Sequence, residues 1–386
     1  MRLLPIAAVS LTLIACTAAG PGNSQQAAPS TAESTTPSPA GLPFTVTPIA
    51  DFDAPWAMTF LPDRRMLVTE KAGVLLLVSA DGKTSTQVTG IPAVDSAGQG
   101  GLMDVVLDPG FASNRHVWFS YSEAAANGKG VVLARGTLTD GKSPSLANVT
   151  TVFRATPYVE GNGHYSGRIA LAPDGKHLFF TNGERQKFDP AQDPKATLGK
   201  VLRFTLDGNP AGDPGLTAKG FHPAVWSYGH RNLLGIAFDA AGNLWEQEMG
   251  PKGGDEVNLV LPGKNYGYPL VSDGDHYDGK PIPRHSTRPD LEAPKVSWNP
   301  VISPGGLIVY SGKLFPQWKG DLFIGGLSSQ ALVRVDVNGT SAAKGDQWPM
   351  GARIREVEEG PDGALWLLED GGRGSQGRLL KLTPNR

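Results

Sequence analysis

The sequence has a single cysteine, Cys16, so no intramolecular disulfide can form and any folded body must draw its stability from its core. It has no basic run, and its formal net charge is -2. Nothing in this balance favours a polyanion such as nucleic acid, and no nucleic-acid partner is expected. The apolar stretch Leu3 to Ala15 is too short to span a bilayer. What the chain does have is glycine (49) and proline (32), about a fifth of its 386 residues, alongside 40% hydrophobic residues. That combination predicts many short strands joined by tight turns rather than disorder.

Residues 1–16 read as a targeting segment. Arg2 gives a short cationic start, and the apolar stretch ends in Leu13-Ile14-Ala15-Cys16, which resembles the bacterial lipoprotein cleavage box. The resemblance implies export to the cell envelope or periplasm and a membrane anchor through a lipid on Cys16; an ordinary secretory signal is the plainer alternative. Thr17 to Leu42 is rich in Ala, Ser, Thr, Pro, Gly and Gln and has almost no large apolar side chains. It cannot bury enough surface to order itself, so residues 17–42 are expected to tether a folded domain at 43–386.

Within that domain one theme recurs: a short apolar strand, a Pro-Asp-Gly-like turn, a strand rich in Leu, Val, Phe or Trp, then a polar loop and a third strand. Copies begin at Trp56, Gly101, Gly167, Leu233, Gly306 and Ile354, with Gly199 to Gly208 read as the outer strand of the third. Six copies at a spacing of roughly 57 residues match one four-stranded blade plus insertions. A single blade cannot bury both faces, so the copies must stack radially and close a ring. The fold class is therefore all-β, a six-bladed β-propeller with four-stranded antiparallel blades. Two β-sandwich domains would not explain the sixfold recurrence.

A propeller brings the segments that enter its innermost strands to one face. Those segments are Gln99-Gly100-Gly101, Gly163 to Arg168, Gly229-His230-Arg231-Asn232, Trp298 to Gly306, and Arg353-Ile354-Arg355. Gathered together they offer the imidazole of His164, the guanidiniums of Arg231, Arg353 and Arg355, the amides of Gln99 and Asn232 and the indole of Trp298. Such a pocket suits a small polyanion with carboxylates or phosphates, which guanidinium forks bind bidentately. Arg353 and Arg355 alternate on one strand and so share a face. In the fourth copy, Leu234 to Phe238 and Leu244 to Glu248 form a hairpin through Asp239 to Asn243. Its geometry sets Arg231 beside the loop Gly250 to Glu256.

The motifs GHYSGRI, YGHRN, GP..GDE and RIREV, in this order, resemble the soluble quinoprotein sugar dehydrogenases: the glucose/sorbosone dehydrogenase family and its aldose sugar dehydrogenase branch. The resemblance spans Phe52 to Thr383 and implies pyrroloquinoline quinone (PQQ) and calcium as cofactors, with an aldose as substrate and an external electron acceptor. It implies that His164 is the general base taking the anomeric proton while hydride passes to a quinone carbon, a task an imidazole suits at neutral pH. It implies that Arg231 and Asn232 face the quinone oxygens, that Arg353 and Arg355 hold the cofactor carboxylates, and that Gln99 lies near base and cofactor. Gly250 and Pro251 would offer carbonyls to calcium, with Asp255 orienting its waters. Glu184 and Trp298 would stand near the substrate.

One departure is visible: where the family pattern calls for a lysine toward the cofactor, this chain reads Gly325-Gly326-Leu327-Ser328-Ser329. Two other readings stay open on sequence, a cofactor-free propeller binding a ligand or envelope glycan, and a lactonase-like hydrolase, which the shortage of clustered acidic side chains disfavours.

Overall fold

The computed structural model describes residues 41–385; the expected leader at 1–16 with Cys16, and the expected linker up to residue 40, lie outside the described residues. Among the described residues the strands form six four-stranded antiparallel sheets, as the repeat count predicts. The first four-strand unit starts at Pro55–Phe60 and the second at Leu102–Leu107. The third starts at Ser166–Leu171, the fourth at Leu233–Phe238, the fifth at Pro304–Val309 and the sixth at Ile354–Glu359. These six inner strands pack against one another in sequence, and the sixth returns to the first, which closes the ring around an axis.

Ring closure uses a strand that the repeat left unassigned. Phe44–Asp51 pairs antiparallel with Arg378–Pro384 and becomes the outermost strand of the sixth blade. Leu42, assigned to the tether by composition, packs against the cluster that holds Phe44, and its carbonyl accepts a hydrogen bond from Asn385 Nδ2 at 2.7 Å. A second difference concerns the third blade. Lys200–Thr205, read as its outer strand, is third of four, and Val225–Tyr228 lies outside it. The short apolar segment at 225–228 does not announce a strand of its own; its pairing with Lys200–Leu202 makes it one.

The core sits between blades. The faces that each blade turns to its two neighbours are apolar, and facing blades share clusters such as Trp118, Phe153, Phe180 and Phe204 between the second and third. Burial on both faces explains why the strands read as near-continuous Leu, Val, Ile and Phe runs rather than strict alternation.

Candidate active site

Because the hairpins are antiparallel, the start of each inner strand and the end of the strand beside it leave the sheet at one edge. In the third blade this puts His164, before Ser166–Leu171, next to Glu184, after His177–Asn182. Glu184 accepts a short hydrogen bond from the Nδ1 side of the His164 ring, and both residues are buried. The other Glu184 oxygen accepts from the backbone amides of Lys187 at 2.5 Å and Phe188 at 2.8 Å. Glu184, expected near the substrate, thus makes its main contact with the imidazole. Gly183 permits this closeness, since a Cβ there would lie 2.1 Å from the His164 carbonyl oxygen.

The backbone around the histidine is held in sparsely populated conformations. His164, Ser166, Arg185 and Gln186 all have φ between +50° and +63°, a condition that persists only where surroundings over-determine it. Arg185 is one such surrounding: its guanidinium donates to the carbonyls of Gly163 (2.8 Å), Lys129 (2.7 Å) and Gly161 (2.6 Å) and lies over the Tyr165 ring. Gln99 is another, its Oε1 accepting from the His164 amide at 2.6 Å.

Burial pulls the His164 pKa below its ordinary 6.5, and the positive charge of Arg231 adds to that, against the opposing pull of Glu184. Burial raises the Glu184 pKa, but the imidazole contact and the Phe188 amide outweigh it, so the net shift is downward. An ionised Glu184 can only accept, so Nδ1 carries the proton and Nε2 keeps its lone pair.

In the fourth blade the hairpin behaves as read. The Arg231 amide donates to Glu248 Oε2 at 2.7 Å, and the Met249 amide donates to the Asn232 carbonyl at 3.0 Å. The buried Arg231 guanidinium donates through Nη1 to the carbonyls of Met249 (2.9 Å) and Gly250 (2.7 Å), and through Nη2 to the Tyr277 hydroxyl at 3.3 Å. Asp255 pins the loop. It accepts from the Gly250 amide (2.9 Å), and its second oxygen accepts from Ile302 (2.8 Å) and Ser303 (2.7 Å). Burial pushes its pKa up to about 6 despite those three donors.

Two adjoining cavities result. The smaller, about 250 Å³, is lined by His164, Glu184, Arg231 and Pro251 with the aromatic walls Phe188, Tyr268 and Tyr277. The larger, about 500 Å³, lies over the axis and is lined by Gln99, Ser166, Asn232, Ser328, Arg353 and Arg355 among others. Tyr277 lines both and is 70% exposed. Arg353 and Arg355 share Asp370, through Arg353 Nε to Oδ2 at 2.8 Å and Arg355 Nε and Nη2 to Oδ1 at 2.9 and 2.6 Å. His164, Arg231, Asn232, Gln99, Gly250, Pro251, Asp255, Arg353 and Arg355 are therefore brought to one end of the ring.

Trp298 is the exception. It belongs to Val296–Trp298, the outermost strand of the fourth blade, and its side chain joins the core cluster of Trp245, Val257 and Leu259 with Lys344 over the ring. Sequence order suggested an entry loop to the fifth blade. The long insertion after Asp255–Leu259 displaces the blade's last strand to this point, so the indole faces the core instead of the cavities. Arg168 also turns away, toward Glu356 and Asp104 and over the Trp56 ring, and lines a separate cavity at the axis.

Several lining residues carried no sequence signal. Tyr277 and His276 come from the insertion 272–291, and His276 had no motif around it. Lys71 and Asp370 did have a signal, as each ends a second strand and so exits on the same edge as the entry loops.

The cofactor sites can be tested against these residues. A cavity whose lining includes Arg353 and Arg355 fits a flat polycarboxylate, and Gly250 and Pro251 carry backbone carbonyls of the kind calcium takes, the Gly250 carbonyl being engaged here by the Arg231 guanidinium.

Comparison with known proteins agrees in family and fold. The model of the family described as Glucose / Sorbosone dehydrogenase matches residues 52–381. The chain is 40% identical over 341 residues to the aldose sugar dehydrogenase YliI of Escherichia coli (strain K12), covering 86% of this chain and 90% of that one. Among solved structures, the apo-form of the soluble aldose sugar dehydrogenase from Escherichia coli superposes with a TM-score of 0.81 at 37% identity, covering 89% of this chain and all of the other. The PQQ-bound aldose sugar dehydrogenase from Streptomyces coelicolor does so at 0.72 and 30% identity, covering 89% and 98%.

Proposed function

The chain belongs to the glucose/sorbosone dehydrogenase family and is a sugar dehydrogenase, and from that premise we propose that it oxidises aldoses at the anomeric carbon to lactones, with PQQ and calcium bound in the two adjoining cavities. The observation that carries this reading is the buried His164–Glu184 pair sharing one cavity with Arg231 and Pro251, beside a second cavity rich in cations. When bound, PQQ supplies an ortho-quinone able to accept a hydride, and calcium a Lewis acid to polarise it.

The protein's own residues do the rest. His164 Nε2 takes the proton of the anomeric hydroxyl, and Glu184 at Nδ1 fixes the ring and stabilises the imidazolium that forms. Arg231 supplies fixed positive charge where negative charge develops on oxygen. Arg353, Arg355 and Asn232 would hold the cofactor and the carbonyls of Gly250 and Pro251 would hold calcium, with Asp255 keeping their loop in place. Phe188, Tyr268 and Tyr277 wall the smaller cavity and limit how water reaches it.

The N-terminal reading belongs to the same proposal. The chain is exported and anchored to the envelope through a lipid on Cys16, and passes electrons to an external acceptor. Metabolic labelling with a fatty acid should mark the wild type and leave Cys16→Ala unlabelled.

The decisive experiment adds PQQ, with and without calcium, to purified protein and follows dye reduction by an aldose. Calcium-dependent turnover that His164→Ala abolishes is the expected result. Absence of both a quinone spectrum and a calcium-dependent rise in Tm would sink the proposal.

A further inference from the structure

The larger cavity lacks the lysine that the family pattern leads one to expect, yet it is not short of positive charge. Ser328 stands at that place, and its hydroxyl reaches only the Val301 carbonyl, at 3.4 Å. The same cavity, however, is also lined by Lys71, delivered by the first blade at the end of Met66–Glu70. Its ammonium donates to the Gly98 carbonyl at 2.5 Å, one residue before Gln99. The charged residues lining the cavity are Lys71, Arg353, Arg355, Arg373 and Asp370. Apart from Arg373, which is exposed at the rim, the lining holds three cations, as many as PQQ, a tricarboxylic acid, has carboxylates, and Asp370 is engaged by Arg353 and Arg355.

We propose that Lys71 supplies the cationic contact that Ser328 does not, so that the three carboxylates of the cofactor are read by Lys71, Arg353 and Arg355. The inference rests on the cofactor reading above. Lys71 is suited to the task because an ammonium carries three donors and only one is committed to Gly98, while the flexible stem can follow the ligand. Arg353 and Arg355 are tied to Asp370 and cannot move as freely. Arg373 is exposed at the rim and acts at longer range, drawing the anion in.

A purely structural Lys71, one that only steadies the loop before Gln99, is the competing account, and the test separates the two. Purified protein is titrated calorimetrically with PQQ and, separately, with benzene-1,3,5-tricarboxylate, a redox-silent probe of the same charge. The variants are Lys71→Gln, Ser328→Lys and the two combined, with Tm recorded for each. The expected result is that Lys71→Gln weakens both ligands by about 10- to 100-fold, the range of one charge-assisted contact. Adding Ser328→Lys should recover most of that loss, which a structural role could not produce.

Unchanged affinity in Lys71→Gln overturns the inference, as does a loss that Ser328→Lys fails to recover. A protein that takes up the tricarboxylate in a Lys71-dependent way but ignores PQQ supports the inference and removes the cofactor reading. PQQ-dependent turnover with Lys71→Gln binding as wild type does the reverse.

Discussion

His164 can serve as a base in only one of its two neutral tautomers, and Glu184 selects that one. A carboxylate at Nδ1 forces the proton there and leaves Nε2 free. Glu184→Gln reverses the choice. The two backbone amides of Lys187 and Phe188 demand an oxygen, so the glutamine would present its amide group to the ring and turn Nδ1 into an acceptor. Nε2 would then carry the proton. The expected outcome is a fall in kcat of about 10²- to 10⁴-fold with little change in KM, by the logic of a histidine held in the wrong tautomer. Steady-state kinetics on the reconstituted variant checks it.

The same residues set a pH profile. Burial and Arg231 hold the His164 pKa below 6.5, so the base is neutral, and active, at pH 7. As pH falls through that lowered pKa the base protonates and the rate is lost. The plot of log(kcat/KM) should therefore be level near neutrality and descend on the acid side of 6.5. A descending limb centred above 6.5 would contradict the burial argument.

At the scale of elements, the loop Gly250 to Gly254 depends on one side chain. Asp255 accepts three backbone donors from two segments, so it fastens the fourth blade's loop to the entry of the fifth blade. Asparagine has one acceptor oxygen where three amides need two, and its NH₂ would face a donor. Asp255→Asn should cost about 1 to 3 kcal/mol in unfolding free energy and release the Gly250 carbonyl from its position, so that any calcium-dependent rise in Tm shrinks. Denaturant unfolding with and without calcium measures both. The linkage sign is the less familiar one: folding raises this carboxyl from 3.8 to about 6, so its contribution is most favourable below 3.8 and is lost as pH rises through 6. Asparagine, which does not titrate, should narrow its deficit relative to wild type above pH 6.

This element also shows how far the sequence could be read. Arg231 and Gly250 were legible as neighbours because a five-residue turn fixes an antiparallel hairpin. The same rule applied to every blade would have placed Lys71, Glu184 and Asp370 on the same edge, since each follows a second strand. What no local rule could give was the path of the insertion 272–291, whose glycines and prolines have no period. Its contact with Arg231 exists only once the fourth blade has folded the insertion back over the start of its own first strand. The Trp298 side chain was misplaced for the same reason, because a long insertion before a three-residue strand erases the repeat that would have located it.

For the whole molecule, the period counted six repeats and the ring needs six, yet the last repeat is not contiguous in the chain. Its outermost strand, Phe44–Asp51, precedes all the others, so the two ends of the domain are joined by one ladder of backbone hydrogen bonds. That arrangement ties the stability of the ring to a strand with no part in the site. Phe44 is 1% exposed and meets Trp318 and Trp348 edge-on, with ring centroids 6.4 and 5.4 Å away. Removing its ring leaves a cavity among rigid indoles that cannot collapse into it, and Phe44→Ala should cost about 3 to 5 kcal/mol. Because Phe44 lies on the outermost strand, three strands away from the inner strand that carries Ile354 and Val357 of the same cluster, the variant that remains folded should bind cofactor and turn over as wild type does. Paired measurements of unfolding free energy and of kcat per folded molecule test the separation. If kcat falls along with stability, the closing strand also shapes the cavities, and the ring must be more plastic than a stack of blades held by apolar faces would allow.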